Sequence, residues 1–241
     1  MSELFFILLF IIAFMYASVG HGGASGYLAL MALMGMDPFI MRHSALVLNI
    51  FVSLVAFIMF YKGGYFRLKL LWPFIVTSMP MAFLGASLDI YPPLYKIILA
   101  ICLIIAVLRI LIKINSNPDK LNPIPVWAGL ITGAAIGLVS GFIGIGGGII
   151  LTPVLLLFKW ATVKQAAAVS AMFIFLNSIS GFIGIQNTFA GIDQQLILMV
   201  VVAFTGGLTG SLMGSFRFNY LSLKYILASV LILASIKLMI F

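Results

Sequence analysis

The sequence predicts an all-α integral membrane protein made of two homologous halves in an inverted repeat, with eight apolar segments. Three observations predict it. Hydrophobic residues make up 64% of the 241-residue chain and charged residues 7%, against about 25% charged in a soluble domain. Several runs approach or exceed the ~18 apolar residues that mark a transmembrane helix. The third is a glycine-rich interruption that occurs twice inside apolar runs, as "SVGHGGASG" from Ser18 and "GFIGIGGGII" from Gly141.

The first half, residues 1–112, carries apolar segments over roughly 4–35, 40–61, 70–88 and 93–112. The second half, 126–241, carries them over roughly 126–158, 163–185, 194–214 and 220–241. Between them lies the longest polar stretch, "KINSNPDKLNPIP" over 113–125, read as a cytoplasmic linker. The halves align with small drifts in offset. Gly20, Gly22 and Gly23 meet Gly144, Gly146 and Gly147; Ser44 meets Ser170; Gly85 meets Gly210. The leading residues contain Glu3 and no Lys or Arg. A secretory signal starts basic, so this segment is expected to be the first helix of the mature chain.

The first segment of each half is too long for one straight span. Some 32 helical residues reach ~48 Å, against a hydrocarbon core of ~30 Å. Each therefore splits into a long arm, the glycine break and a short arm starting near Gly26 or Ile149. Loop charge arbitrates whether the split segment crosses or turns back. If it crosses, the 13 Lys and Arg divide almost evenly. If it turns back, Lys62, Arg67, Lys69, Arg109, Lys113, Lys120, Lys159, Lys164, Arg217 and Lys224 share one side, with Arg42, Lys96 and Lys237 opposite. That bias favours re-entrant breaks, three spans per half, inverted halves and a multi-pass protein of the plasma or bacterial inner membrane. Many secondary transporters share this plan. The net charge of +8 then belongs to cytoplasmic loops. No basic patch with interleaved aromatics points to nucleic acid, and lipid is the expected surrounding partner.

Unwound backbone persists at membrane depth only when buried in protein or lining a wet cavity. Clustered glycines let backbone amides approach a ligand, and the helix that follows aims its positive end there. Two such ends, one from each half, would hold a small anion without a buried Arg or Lys. For the scattered Gly85, Gly129, Gly133, Gly137 and Gly210, close helix packing is the better reading. No Gly-Lys-Ser/Thr follows either run, so nucleotide binding is unsupported.

The polar residues agree. Glu3, Asp37, Asp89, Asp119 and Asp193 all fall in loops or at segment ends, which argues against a carboxylate proton relay or cation site. The segments instead carry hydroxyls and amides: Ser18, Ser25, Ser44, Asn49, Ser53, Thr152, Ser170, Asn177, Ser178 and Ser180. Any one of them could be a helix-packing hydrogen bond; Ser44 and Ser170 stand out because they match across the halves. His21 sits in the first break, opposite Ile145 of the second, and could titrate in a proton-coupled step or serve as a neutral donor. Arg42 and His43 read as an interfacial cap that could also draw anions in. Cys102 is the single cysteine and reads as a buried apolar residue. With no nucleophile–base pair, carboxylate dyad or metal cluster, no enzyme activity, cofactor or metal is expected.

"GFIGIGGGIILTPVLLL" from Gly141 and "AAAVSAMFIFLNSISG" from Ala166 resemble the sulfite exporter TauE/SafE family, and the resemblance covers essentially the whole chain. The first half departs from the family pattern, with "GHGGASGYLAL" where a GxGGG-like run followed by proline is usual. The resemblance implies a permease for sulfite, sulfonates or related anions, driven by an ion gradient. The candidate substrate site is Gly20, His21, Gly22, Gly23, Ser44 and Asn49 from the first half. Gly144, Gly146, Gly147, Gly148, Thr152, Ser170 and Asn177 join it from the second. An anion channel and a partner subunit of a membrane complex are the alternative classes.

Overall fold

The computed structural model describes residues 3–18, 20–88, 91–111, 121–185 and 194–213, together with Ile232, Ile236 and Met239. The expected eighth segment, over 220–241, and most of the linker lie outside these apart from the three named positions. Nine helices and no strand occur among the described residues: α1 (Glu3–Ser18), α2 (Ala24–Leu33), α3 (Pro38–Lys62), α4 (Leu68–Ser87), α5 (Pro92–Leu111), α6 (Val126–Ile143), α7 (Gly148–Leu157), α8 (Val163–Gly184) and α9 (Gln194–Met213). Five of them, α3, α4, α6, α8 and α9, are long and apolar enough to cross a membrane. Trp127, Ile131, Ile183 and Val201 stand exposed on the outside of the bundle; lipid accepts such a surface and water does not.

Local signals set the helix ends. Asp37 accepts from the Phe39 amide at 2.8 Å, with Pro38 in the first turn of α3. Thr162 and Gln165 form a capping box at α8, which satisfies two otherwise orphan amides. The glycine breaks end α1 and α6, and the short arms begin at Ala24 and Gly148.

Both short helices fold back along the long helices that precede them. A Cβ on Gly26 would overlap Ile12, and Ser25 Oγ lies 2.6 Å from Tyr16 Oη, so α2 retraces α1. At the second break, the Asn122 amide donates to Lys159 O at 2.9 Å and its side chain to Phe158 O at 3.1 Å. The start of α6 and the end of α7 are therefore neighbours.

The long helices pack through glycine. On α6, Gly129, Gly133, Gly137 and Gly141 meet Pro73, Phe74, Ser78 and Ala82 of α4 in rising order, so the two helices run parallel. Gly206 and Gly210 of α9 meet Phe10 and Phe14 of α1 in the same sense, and Gly85 meets the Leu138 carbonyl. Four-residue spacing places such glycines on one face and lets the backbones touch. In the centre, α3 and α8 run antiparallel: His43 packs on Phe182 with ring centroids 5.2 Å apart, and Leu46 lies against Gly181.

Arg42 does act as a cap, and both it and His43 are covered by protein rather than standing open at the surface. Both are buried, at 7% and 1% exposure. The Arg42 guanidinium donates to Ala86 O and Leu88 O at the end of α4, where carbonyls lack intrahelical partners. Arg42→Ala removes charge-assisted bonds from buried carbonyls and is expected to lower stability by about 1–3 kcal/mol. Thermal unfolding in detergent measures this, and a melting point equal to the parent's would show that the cap contributes nothing.

Candidate functional site

The two breaks are built alike. The Gly20 amide donates to Ala17 O at 3.1 Å and the His21 amide to Tyr16 O at 2.9 Å. The Gly144 and Ile145 amides both donate to Ser140 O, at 2.8 and 3.2 Å. Gly20 (φ 77°) and Gly144 (φ 89°) hold the left-handed position that such helix ends require, and a side chain there is strained. Gly23 (φ 93°) and Gly147 (φ 80°) then cap α2 and α7 without any side-chain cap. The first-turn amides of these helices have no intrahelical partners and carry the positive dipole end.

The breaks meet at α3 and α8. A Cβ on Gly22 would lie 2.7 Å from Asn49 Oδ1 and 2.9 Å from Ile174 Cγ2. One on Gly146 would lie 2.8 Å from Ile174 Cγ2, 2.9 Å from Asn49 Nδ2 and 3.0 Å from Ser178 Oγ. Asn49 and Ile174 thus stand between the two unwound strands. Asn49 Nδ2 donates to Ile145 O at 3.2 Å, tying α3 to the second break. Gly148 packs on Ile174 close to the Ser170 carbonyl.

A chain of side-chain hydrogen bonds crosses from the first break to the second half. His21 Nε2 lies 3.0 Å from Thr152 Oγ1, which lies 2.8 Å from Ser170 Oγ. His21 and Thr152 are 3% exposed and Ser170 is fully buried. Ser44 is buried too but makes no side-chain hydrogen bond among the described residues. At an offset of 124, Ile145 and Leu28 occupy the places of His21 and Thr152, so the matching register holds no second chain of this kind.

Five buried polar atoms around the breaks have no partner among the described residues: Asn49 Oδ1, Asn177 Nδ2, Ser140 Oγ, Ser178 Oγ and, against Gly23, Tyr27 Oη. Their residues are at most 1% exposed. Asn177 uses its Oδ1, which accepts from Ser78 Oγ at 2.8 Å. Buried polar groups in folded proteins are nearly all hydrogen-bonded, so this concentration is unusual. Ser140 is a residue the sequence reading missed. Its signal is its place, one turn before Gly144, facing Gly147 across the break. Other hydroxyls follow the plainer reading: Ser18 bonds back to Met15 O, Ser53 to Asn49 O, and Ser180 reaches Met79 O. Among the described residues no three His, Cys, Asp or Glu side chains come together as a metal site, and Cys102 is buried and alone.

Two cavities lie near opposite ends of α3. One, of about 470 Å³, is lined by Ser18, Phe60, Tyr65, Lys164 and Ala167, and Ala167 backs directly onto Gly20. The other, of about 330 Å³, is lined by Asp37, Arg42, Ala86 and Tyr95, and Arg42 backs onto Gly144.

Long apolar helices around two glycine-broken hairpins, with a buried polar junction between them, define a multi-pass membrane protein. The sequence matches the Sulfite exporter TauE/SafE family over residues 5–238, and the chain belongs to that family of membrane transporters. It is 34% identical to "Probable membrane transporter protein y4hK" of Sinorhizobium fredii, across 97% of this chain and 96% of that one. A shorter match, 45% identical over 71 residues, links 30% of this chain to 24% of a "Probable membrane transporter protein" of Methanocaldococcus jannaschii. No solved structure matches the chain.

Proposed function

We propose that this chain is a secondary transporter exporting a small sulfur-containing anion, such as sulfite or an organosulfonate, bound where the two glycine breaks meet. The carrying observation is the junction itself. Ser140 Oγ, Ser178 Oγ and Asn177 Nδ2 are donors without acceptors, grouped near the N-terminus of a helix capped only by glycine. An oxyanion there would take these donors and the helix dipole together. The family's description as sulfite exporters supports the sulfur anion.

The inverted-repeat reading belongs to this proposal. Its support is in the helix directions: α1 runs with α9, α6 runs with α4, and the matched α3 and α8 run opposite. Lys62, Arg67, Lys69, Lys159 and Lys164 then sit at one end of the bundle, with Arg42 and Lys96 at the other. The first end is cytoplasmic on that bias. The two cavities are the approaches from either side, and alternating access opens the Gly20–Ala167 and Gly144–Arg42 contacts in turn.

The test is ligand-dependent thermal stability of the purified protein with sulfite, sulfate, thiosulfate, taurine, sulfoacetate and chloride. A ligand bound only by the folded state at 100 times its Kd adds about 2.7 kcal/mol. An upward shift with a sulfur anion is expected, and it should shrink at least tenfold in apparent affinity in the Ser140→Ala/Ser178→Ala double variant. Equal shifts in parent and variant would place binding elsewhere. Flux without any dependence on an ion gradient would make the protein a channel.

A further inference from the structure

Resting on the anion site proposed above, we infer that a proton is the coupling ion, and that it acts at His21 by reversing the direction of the His21–Thr152–Ser170 hydrogen-bond chain. The heavy-atom distances of 3.0 and 2.8 Å fit two arrangements of hydrogens. With neutral His21 and Nε2 unprotonated, the Thr152 hydroxyl donates to Nε2 and the Ser170 hydroxyl donates to Thr152 Oγ1. Ser170 then has its proton committed inward. When a solvent proton binds Nε2, the new N–H donates to Thr152 Oγ1. The Thr152 hydroxyl rotates to donate to Ser170 Oγ, and the Ser170 proton turns outward. One N–H bond forms, none breaks, and the two hydroxyls only rotate.

The outward direction is the anion site. The Ser170 carbonyl faces Gly148, the first residue of α7, and its hydroxyl sits against Thr152 one turn further along that helix, so a proton turned away from Thr152 is offered near the N-terminal end of α7. Protonation therefore adds both a positive charge and a donor at the place where an anion sits. By linkage, anion binding raises the proton affinity of His21 by the same factor. Each therefore favours the binding of the other.

The surrounding elements leave this role to His21. Their titratable and charged groups are Glu3 and Tyr16 on α1, Tyr27 on α2, Arg42, His43, Tyr61 and Lys62 on α3, and Lys164 on α8, with none on α7. Tyr16 bonds Ser25, Arg42 caps α4, His43 packs between Phe39 and Phe182, and Lys164 donates to Tyr65 Oη at 3.0 Å. Glu3, Tyr61 and Lys62 lie at helix ends. The halves are unequal here, because Ile145 and Leu28 replace His21 and Thr152 in the matching register. One chain implies one proton per cycle.

The test uses thiosulfate and methanesulfonate, whose charges stay constant between about pH 5.5 and 8, so that only the protein titrates. In the parent, Kd is expected to weaken as pH rises through the histidine range, by up to tenfold per unit. Thr152→Val, which keeps the His21 charge but cuts the donor chain, is expected to bind with a clearly reduced slope, and Thr152→Ser to restore it. If Thr152→Val does not fold, His21→Gln, which removes the charge as well as the donor, is expected to give a flat profile. Binding in the parent that does not vary with pH, or an unchanged slope in Thr152→Val or His21→Gln, overturns the proton switch while leaving the site standing. Folded parent that binds no anion at any pH overturns the site and the switch together.

Discussion

Gly146→Ala is expected to cut transport at least tenfold, about 1.4 kcal/mol, while the protein still inserts and purifies. Two costs meet at this position. Its φ of 75° lies in the left-handed region, where an L side chain costs roughly 1–2 kcal/mol. The added methyl would also sit 2.8 Å from Ile174 Cγ2, 2.9 Å from Asn49 Nδ2 and 3.0 Å from Ser178 Oγ. It would push Asn49 from the Ile145 carbonyl and cover a donor that the anion needs. Gly22→Ala separates the two costs, because Gly22 is outside the left-handed region yet faces Asn49 and Ile174 equally closely. It should lose flux by crowding alone. Anion efflux from proteoliposomes, with melting curves alongside, gives the answer. Flux within twofold of the parent in both variants would mean that the space between the breaks carries no substrate.

The breaks were legible because glycine states a backbone requirement locally. Gly20, Gly23, Gly144, Gly146 and Gly147 all take positive φ, and their clustering in an apolar run has few other causes. The packing glycines were legible for a similar reason: a four-residue period along one helix is a property of that helix. What the sequence could not show was which polar group meets which. Thr152 stands 131 residues from His21, and nothing near either of them names the other. Ser44 looked equivalent to Ser170 by register. The difference lies in the partners, which only the folded chain brings together. Arg42 was read at the membrane face because charges there are common; its burial depends on carbonyls more than 40 residues away. Ser178 is one of several hydroxyls in the sequence and Ser140 an ordinary helix serine; it is the second break packed against them that sets both apart.

Gly137→Leu is expected to prevent accumulation of folded protein, and Gly137→Ala to lower stability by about 1–3 kcal/mol. A Cβ at Gly137 would meet the backbone of Ser78, carbonyl first. Backbone cannot swing aside as a side-chain tip can, so α4 and α6 must separate. Lipid gives no hydrophobic push to close them again, because their contact rests on packing itself. The damage also reaches the junction. Ser78 is the residue whose hydroxyl holds Asn177 Oδ1 at 2.8 Å, so parting the helices releases the amide that aims Nδ2 at the site. Gly137→Ala should therefore show a lower melting point together with weaker anion binding, whereas Gly146→Ala should lose flux out of proportion to stability. Size-exclusion profiles, melting curves and anion titrations on the same samples compare the two. A Gly137→Leu protein that melts and transports like the parent would mean that α4 and α6 do not touch as described, and that Asn177 is positioned by something other than Ser78.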